Sequence, residues 1–123
     1  MTNITGLLHV SILVSDLDRA RVFYEEMLGL IPSGKRPQMT FDGVWYDIGP
    51  AQIHVLVLPN PDQHAVRPEH GGRDRHIALG VADLESVKLV LGQAGVAYTL
   101  SRSGRRALFC RDPDGNALEL IEV

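Results

Sequence analysis

Apolar and polar positions alternate along HVSILV, residues 9–14, and again along HIALGV, residues 76–81. Successive strand side chains point to opposite faces, so Val10, Ile12 and Val14 form one apolar row and Ile77, Leu79 and Val81 another. Each run leads through an aspartate into apolar residues spaced three and four apart. Leu17, Ala20, Phe23, Tyr24, Met27 and Leu28 follow Asp16; Leu84, Val87, Val90, Leu91 and Ala94 follow Asp83. This spacing predicts a helix after each strand, N-capped by the aspartate and closed at Gly29 or Gly95 by a left-handed C-terminal cap. Strands are then expected near 31–36, 39–48 and 51–58, and near 96–101, 105–110 and 117–123. DPDG at 112–115 marks a turn before the last strand, and GP at 49–50 holds the same place earlier.

The two halves match in detail. HVSILVSDLDRA at 9–20 aligns with HIALGVADLESV at 76–87 at an offset of 67 (76 − 9), and the capping glycines at 66 (95 − 29). Superposing the closing strands sets His54 on Glu119 at an offset of 65 (119 − 54), which Asp47 and Asp112 share. Both halves read strand, helix, three strands, so a duplicated βαβββ module is the economical interpretation. One domain is expected, with module one at about 5–58, a Pro- and Gly-rich linker at 59–75 and module two at 76–123.

A length of 123 residues suffices for one domain with a real core. A formal charge of −3, from 12 basic and 15 acidic residues, gives no basic footprint for nucleic acid. No apolar run approaches the roughly 18 residues of a membrane span, and no secretory signal opens the chain. With Cys110 the only cysteine, an internal disulfide is excluded and a reducing, cytoplasmic setting is expected. Its apolar neighbours in ALFC suit a small buried strand residue better than a nucleophile. Arg73 and Arg75, and Arg102, Arg105 and Arg106, read as solvated loop charge, with recognition of an anionic substrate as their other use.

Alternation also sorts the polar residues. If Val10, Ile12, Val14, Ile53, Val55 and Val57 face the helix of module one, then His9, Ser11, Leu13 and His54 lie on the other face. In module two Ile77, Leu79, Val81, Leu118 and Leu120 face the helix, and His76, Ala78, Gly80 and Glu119 lie opposite. Any one of these histidines alone reads as a hydrogen-bonded structural residue, and Glu119 alone as an exposed strand residue. Their matched places in two repeats point instead to convergence about a pseudo-twofold axis. Three imidazoles and one carboxylate (His9, His54, His76 and Glu119) suit one divalent transition ion with positions left for water or substrate. Zinc, nickel, manganese and iron(II) all match this donor set. His64 and His70 fall in the linker, where solvent exposure and no role are expected.

The paired modules, the histidines at the strand heads, FYEEMLGL at 23–30 and DPDGNALELIEV at 112–123 resemble the vicinal oxygen chelate superfamily. It includes glyoxalase I, extradiol dioxygenases, fosfomycin-resistance proteins and bleomycin-binding proteins. The resemblance covers nearly the whole chain and implies an α+β fold, two paired βαβββ modules forming a cupped, curved mixed sheet with helices outside. It implies metal ligands from the first and fourth strands of each module, matching His9, His54, His76 and Glu119. In short members the cooperating modules often come from two chains, so a homodimer is implied and the ligand set is open to either arrangement.

Glyoxalase I isomerises a glutathione hemithioacetal, and His54 stands where that enzyme usually has glutamate. HGGRDRH and YTLSRSG also look like short glyoxalase-like proteins of plants and bacteria. The implied activity is that of a divalent-metal-dependent lyase or isomerase acting on a small substrate through vicinal oxygens, with Glu119 as base, His54 assisting and a thiol cosubstrate as a family option. An extradiol dioxygenase would use His9, His76 and Glu119 on iron(II), with Tyr98 or His54 for acid–base work. A fosfomycin-type thiol transferase would use Ser11 near a metal-bound phosphonate. A non-catalytic, bleomycin-resistance-like module would sequester a small ligand in a cavity, with Trp45 either lining it or simply packing.

Overall fold

The computed structural model describes residues 2–123 and divides into two compact units, one running to Asn60 and one from Pro61 to Val123. The first contains β1 (His9–Val14), α1 (Leu17–Arg21) with a π-helical continuation (Val22–Met27), β2 (Ile31–Pro32), β3 (Gly43–Ile48) and β4 (Ala51–Val57). The second contains a 3₁₀ turn (Gly71–Arg73), β5 (His76–Val81), α2 (Leu84–Gln93), β6 (Tyr98–Leu100), β7 (Ala107–Arg111) and β8 (Ala117–Glu122). Each unit has one four-stranded mixed sheet, in the orders β1-β4-β3-β2 and β5-β8-β7-β6. The fold class is α+β, with the βαβββ order present twice.

Strand register repeats as well as strand order. β1 runs parallel to β4 with Ser11 opposite His54, and β5 runs parallel to β8 with Ala78 opposite Glu119. Parallel partners need a crossover between them, and in each module the helix and two further strands supply it.

The predicted caps form. Asp16 accepts a hydrogen bond from the Arg19 amide at 3.0 Å, and Asp83 accepts from the Glu85 and Ser86 amides at 3.1 and 3.4 Å. Gly29 and Gly95 have φ of 75° and 72°, the left-handed region that β-carbons disfavour. The first helix differs from expectation in its winding. Past Arg21 its turns widen to the π form, which brings Phe23 and Tyr24, neighbours in sequence, toward one buried face.

Three strands are shorter than the sequence pattern suggests. β2 stops at Pro32, after which the Lys35 amide turns back to Ser33 Oγ at 3.1 Å and Arg36 donates to the Phe41 carbonyl at 2.7 Å. β3 accordingly starts at Gly43 rather than near 39. β6 ends at Leu100 because the Ser101 and Ser103 hydroxyls bond each other at 2.8 Å and Gly104, at φ 84°, turns the chain, so β7 begins at Ala107.

Each unit has its own core. In the first, Ile12, Val14, Ala20, Phe23, Tyr24, Val44, Tyr46, Ile53 and Val55 are buried; in the second, Leu84, Leu91, Leu108, Leu118 and Leu120 are. Cys110 is buried among the latter, and desolvation, aided by the Asp112 charge, pushes its thiol up to about 12, as befits a structural residue. His70 departs from expectation. It is half-buried, caps the 3₁₀ turn by accepting from the Gly72 amide at 3.0 Å, and holds the Leu100 carbonyl at 3.1 Å through Nε2. Among the described residues, no helix is long and apolar enough to cross a membrane.

Candidate functional site

In module one, β1, β4 and β3 carry the polar face opposite the helix. Trp45 pairs with His54 across β3 and β4, and His9 pairs with Gln52 across β1 and β4. The consequence is a three-ring stack. His54 lies between Trp45, at 3.8 Å and 2° between planes, and His9, at 4.0 Å and 12°. His54 Nε2 bonds Gln52 Oε1 at 2.8 Å, and the side chain is buried. Desolvation, and then the neighbouring His9, lower the His54 pKa, so the neutral ring is the favoured form.

In module two the equivalent positions make an acid–base pair. His76 Nε2 stands 3.3 Å from Glu119 Oε1. Glu119 is only 3% exposed, and its other oxygen accepts from Arg105 at 2.9 Å. His76 Nδ1 lies 2.8 Å from the Asp74 carbonyl. A carbonyl can only accept, so the proton sits on Nδ1 and the Nε2 lone pair is directed to the Glu119 side in the neutral ring. The Phe109 ring meets His76 edge-on at 5.2 Å.

Asp74 is itself anchored. Its carboxylate takes Arg111 at 2.8 Å, Arg67 at 3.3 Å and the Arg75 amide at 2.8 Å. Burial would raise its pKa, but the hydrogen bonds from Arg111 and Arg75 and the two guanidinium charges outweigh that and hold it below the usual carboxylate value. Beside this assembly a cleft of about 400 Å³ is lined by Tyr98, Thr99, Phe109 and Arg111, with Glu69 and Gly71 from the preceding loop.

Thus each module brings two of the four sequence-nominated residues together: His9 with His54, and His76 with Glu119. Among the described residues, neither module gathers three His, Cys, Asp or Glu side chains about one point. Ser11 is opposite His54 in register, whereas Tyr98 lies toward the cleft, on the edge strand. Three contributors escaped the sequence reading, Gln52, Asp74 and Arg105, while Trp45, expected to line a cavity or pack, stacks on His54. Gln52 was legible in principle, being two residues before His54 on the same strand face. Arg105, read as solvated loop charge, is half-exposed but bonds a buried carboxylate fourteen positions away.

Comparison with known proteins adds the family. Residues 6–120 match the model of the Glyoxalase/Bleomycin resistance protein/Dioxygenase superfamily. The chain belongs to that superfamily. It is 29% identical over 123 residues to Glyoxylase I 4 of Arabidopsis thaliana, covering 96% of this chain and 71% of that protein. It is 31% identical over 127 residues to lactoylglutathione lyase of Haemophilus influenzae, covering 94% and 91%. Among solved structures, the fosfomycin resistance protein FosX of Listeria monocytogenes superposes with a TM-score of 0.75 at 18% identity, covering 96% of this chain and 91% of that one, a likeness of fold.

Superfamily members typically use a divalent metal, and the residues here can be tested against one. Donors bound to one ion at about 2.0–2.2 Å stand about 3 Å apart when adjacent. The 3.3 Å between His76 Nε2 and Glu119 Oε1 fits that spacing, and both the donor types and the fixed imidazole tautomer suit it. The stacked pair fits less fully. An imidazole lone pair lies in the ring plane, and the nearly parallel planes of His9 and His54 do not meet within bonding distance. As stacked, module one offers one imidazole to a given ion; offering both requires a ring to turn, and His54 must first release Gln52.

Proposed function

We propose that the protein is a cytoplasmic, divalent-metal-dependent glyoxalase-like lyase or isomerase that binds a small substrate through vicinal oxygens. The observation that carries this reading is the buried Glu119 carboxylate 3.3 Å from Nε2 of His76. Family membership and the lactoylglutathione lyase relative support it. His9, His54, His76 and Glu119 are the proposed donor residues.

When bound, the ion would supply Lewis-acid polarisation of the substrate oxygens. The chain's own part is proton handling. Glu119 would take the proton from the hydroxyl-bearing carbon and return it to the neighbouring carbonyl carbon while the hydroxyl proton passes to the other oxygen, so the isomerisation leaves no net change in protons. His76 is held with Nε2 toward Glu119 because the Asp74 carbonyl holds its other nitrogen. His54, neutral through burial and paired with Gln52, is a proton acceptor in reserve. The Tyr98, Thr99 and Phe109 cleft offers an apolar wall to the rest of a small substrate. A thiol cosubstrate is part of the proposal at the level of the lactoylglutathione lyase relative. A homodimer is proposed as the working form, since Ile4, Leu7 and Leu8 are exposed and a second copy would cover them.

The test is elemental mass spectrometry on protein purified anaerobically without a metal-binding tag. The expected result is a near-stoichiometric transition metal, lost in His76→Ala and in Glu119→Gln, followed by isomerase assays on 2-oxoaldehyde–thiol adducts. Absence of metal after reconstitution would overturn the reading and leave ligand sequestration, in which the aromatic stack serves as a binding face.

A further inference from the structure

We propose that Arg105 is the resident counter-cation of Glu119, and that a divalent ion must compete with it for that carboxylate. The inference rests on the reading of His76 and Glu119 as metal donors. A carboxylate 3% exposed needs a charged or hydrogen-bonding partner, because an isolated buried charge is strongly disfavoured. Its two oxygens are served separately: Oε1 faces His76 Nε2 at 3.3 Å, and Oε2 accepts from Arg105 at 2.9 Å. Of these two contacts the shorter is to the guanidinium, which carries a fixed positive charge and so balances Glu119. Two neighbouring basic groups are committed elsewhere, Arg106 to Glu122 at 2.6 Å and Arg111 to Asp74 at 2.8 Å.

Arg105 is also placed to leave. Its side chain is 57% exposed and projects from the polar loop between β6 and β7, where Nε bonds Ser103 Oγ at 3.2 Å. Swinging outward exchanges one ion pair for water at an already wet head group. A divalent ion bonded to Glu119 and His76 would stand beside this guanidinium, and like charges at that range repel. Arg105 therefore stabilises the metal-free chain and weakens metal binding, setting the metal concentration at which the site fills.

The experiment measures Zn²⁺ affinity by competition with a chromogenic chelator, and thermal midpoints with and without Zn²⁺. The proteins are the full chain, Arg105→Ala, Arg105→Gln, Glu119→Gln and the Arg105→Ala/Glu119→Gln double variant. Arg105→Ala and Arg105→Gln should each bind Zn²⁺ about tenfold more tightly than the unaltered chain. Their metal-free midpoints should fall and be restored by Zn²⁺, and in the Glu119→Gln background Arg105→Ala should change nothing. Unchanged or weaker affinity in both Arg105 variants, with the unaltered chain still binding, overturns the competition and leaves the metal reading intact. No binding by any of the proteins overturns both.

Discussion

Trp45 and His54 lie face to face on neighbouring strands, ring centroids 3.8 Å apart and planes 2° from parallel. Trp45 is the only tryptophan in the chain, so its fluorescence reports on one ring stack. A protonated imidazole quenches a stacked indole more strongly than a neutral one. In metal-free protein, emission should fall as pH is lowered, with a midpoint below the ordinary 6.5 because burial and His9 lower the His54 pKa. His54→Gln should abolish the transition; a midpoint at or above 6.5 would contradict the assignment. The stability sign follows: His54's contribution is complete above its unfolded value and is lost as pH falls through the lower folded value.

Asp74 positions His76 from behind. Asp74→Asn removes the charge that holds Arg67 and Arg111, and with it the support of the carbonyl on His76 Nδ1. Loss of these charge-assisted hydrogen bonds should cost about 1–3 kcal/mol in urea melts. Because the Asp74 pKa is lowered in the fold, its contribution is present above the unfolded value of about 3.8 and lost as pH falls through the folded one. The unaltered chain should therefore show an acid-side loss that Asp74→Asn lacks; identical acid limbs would exclude this role.

Tyr46 ties β3 to the first helix. Its ring is fully buried and its hydroxyl donates to Glu25 Oε2 at 2.8 Å. Tyr46→Phe keeps the ring and removes the hydrogen bond, for an expected cost of about 1–2 kcal/mol by chemical denaturation. Burial first, then the Glu25 hydrogen bond and charge, raise the phenol above its usual 10. Its stabilisation is thus present below 10 and lost as pH rises through the folded value, so the alkaline limb should differ between the two proteins.

Gly43 opens β3 where a β-carbon would run into the Val55 carbonyl of the adjoining strand. A strand carbonyl has little room to relax, so Gly43→Ala should destabilise by about 1–3 kcal/mol. An alanine variant as stable as the parent would show that the strands part more easily than their register implies. Gly29→Ala, by contrast, meets no atom within 4 Å and should show only the strain of its φ of 75°.

Much of the architecture was legible because local pattern and fold agree. The alternation of HVSILV and HIALGV, the aspartate caps and the glycine stops are properties of short segments, and each appears where the sequence sets it. The 65-residue offset between His54 and Glu119 was legible too, and register confirms its structural meaning through Ser11 and Ala78. Strand ends were less so. Ser101, Ser103 and Gly104 stop β6 through side-chain and loop geometry that alternation does not encode.

Sequence by itself thus determined the repeat, the faces of the strands and the identity of the polar residues on them, because a period of two and a cap are local physics. Only the tertiary structure decided what those residues touch. That His54 lies between Trp45 and His9 depends on β1 packing beside the β3–β4 hairpin far along the chain, and that Arg105 reaches Glu119 depends on how the loop before β7 folds back. Ring orientation and ion pairing turn on ångström-scale distances between non-local groups, whereas a pattern of apolar and polar letters specifies only which side of a strand a residue is on.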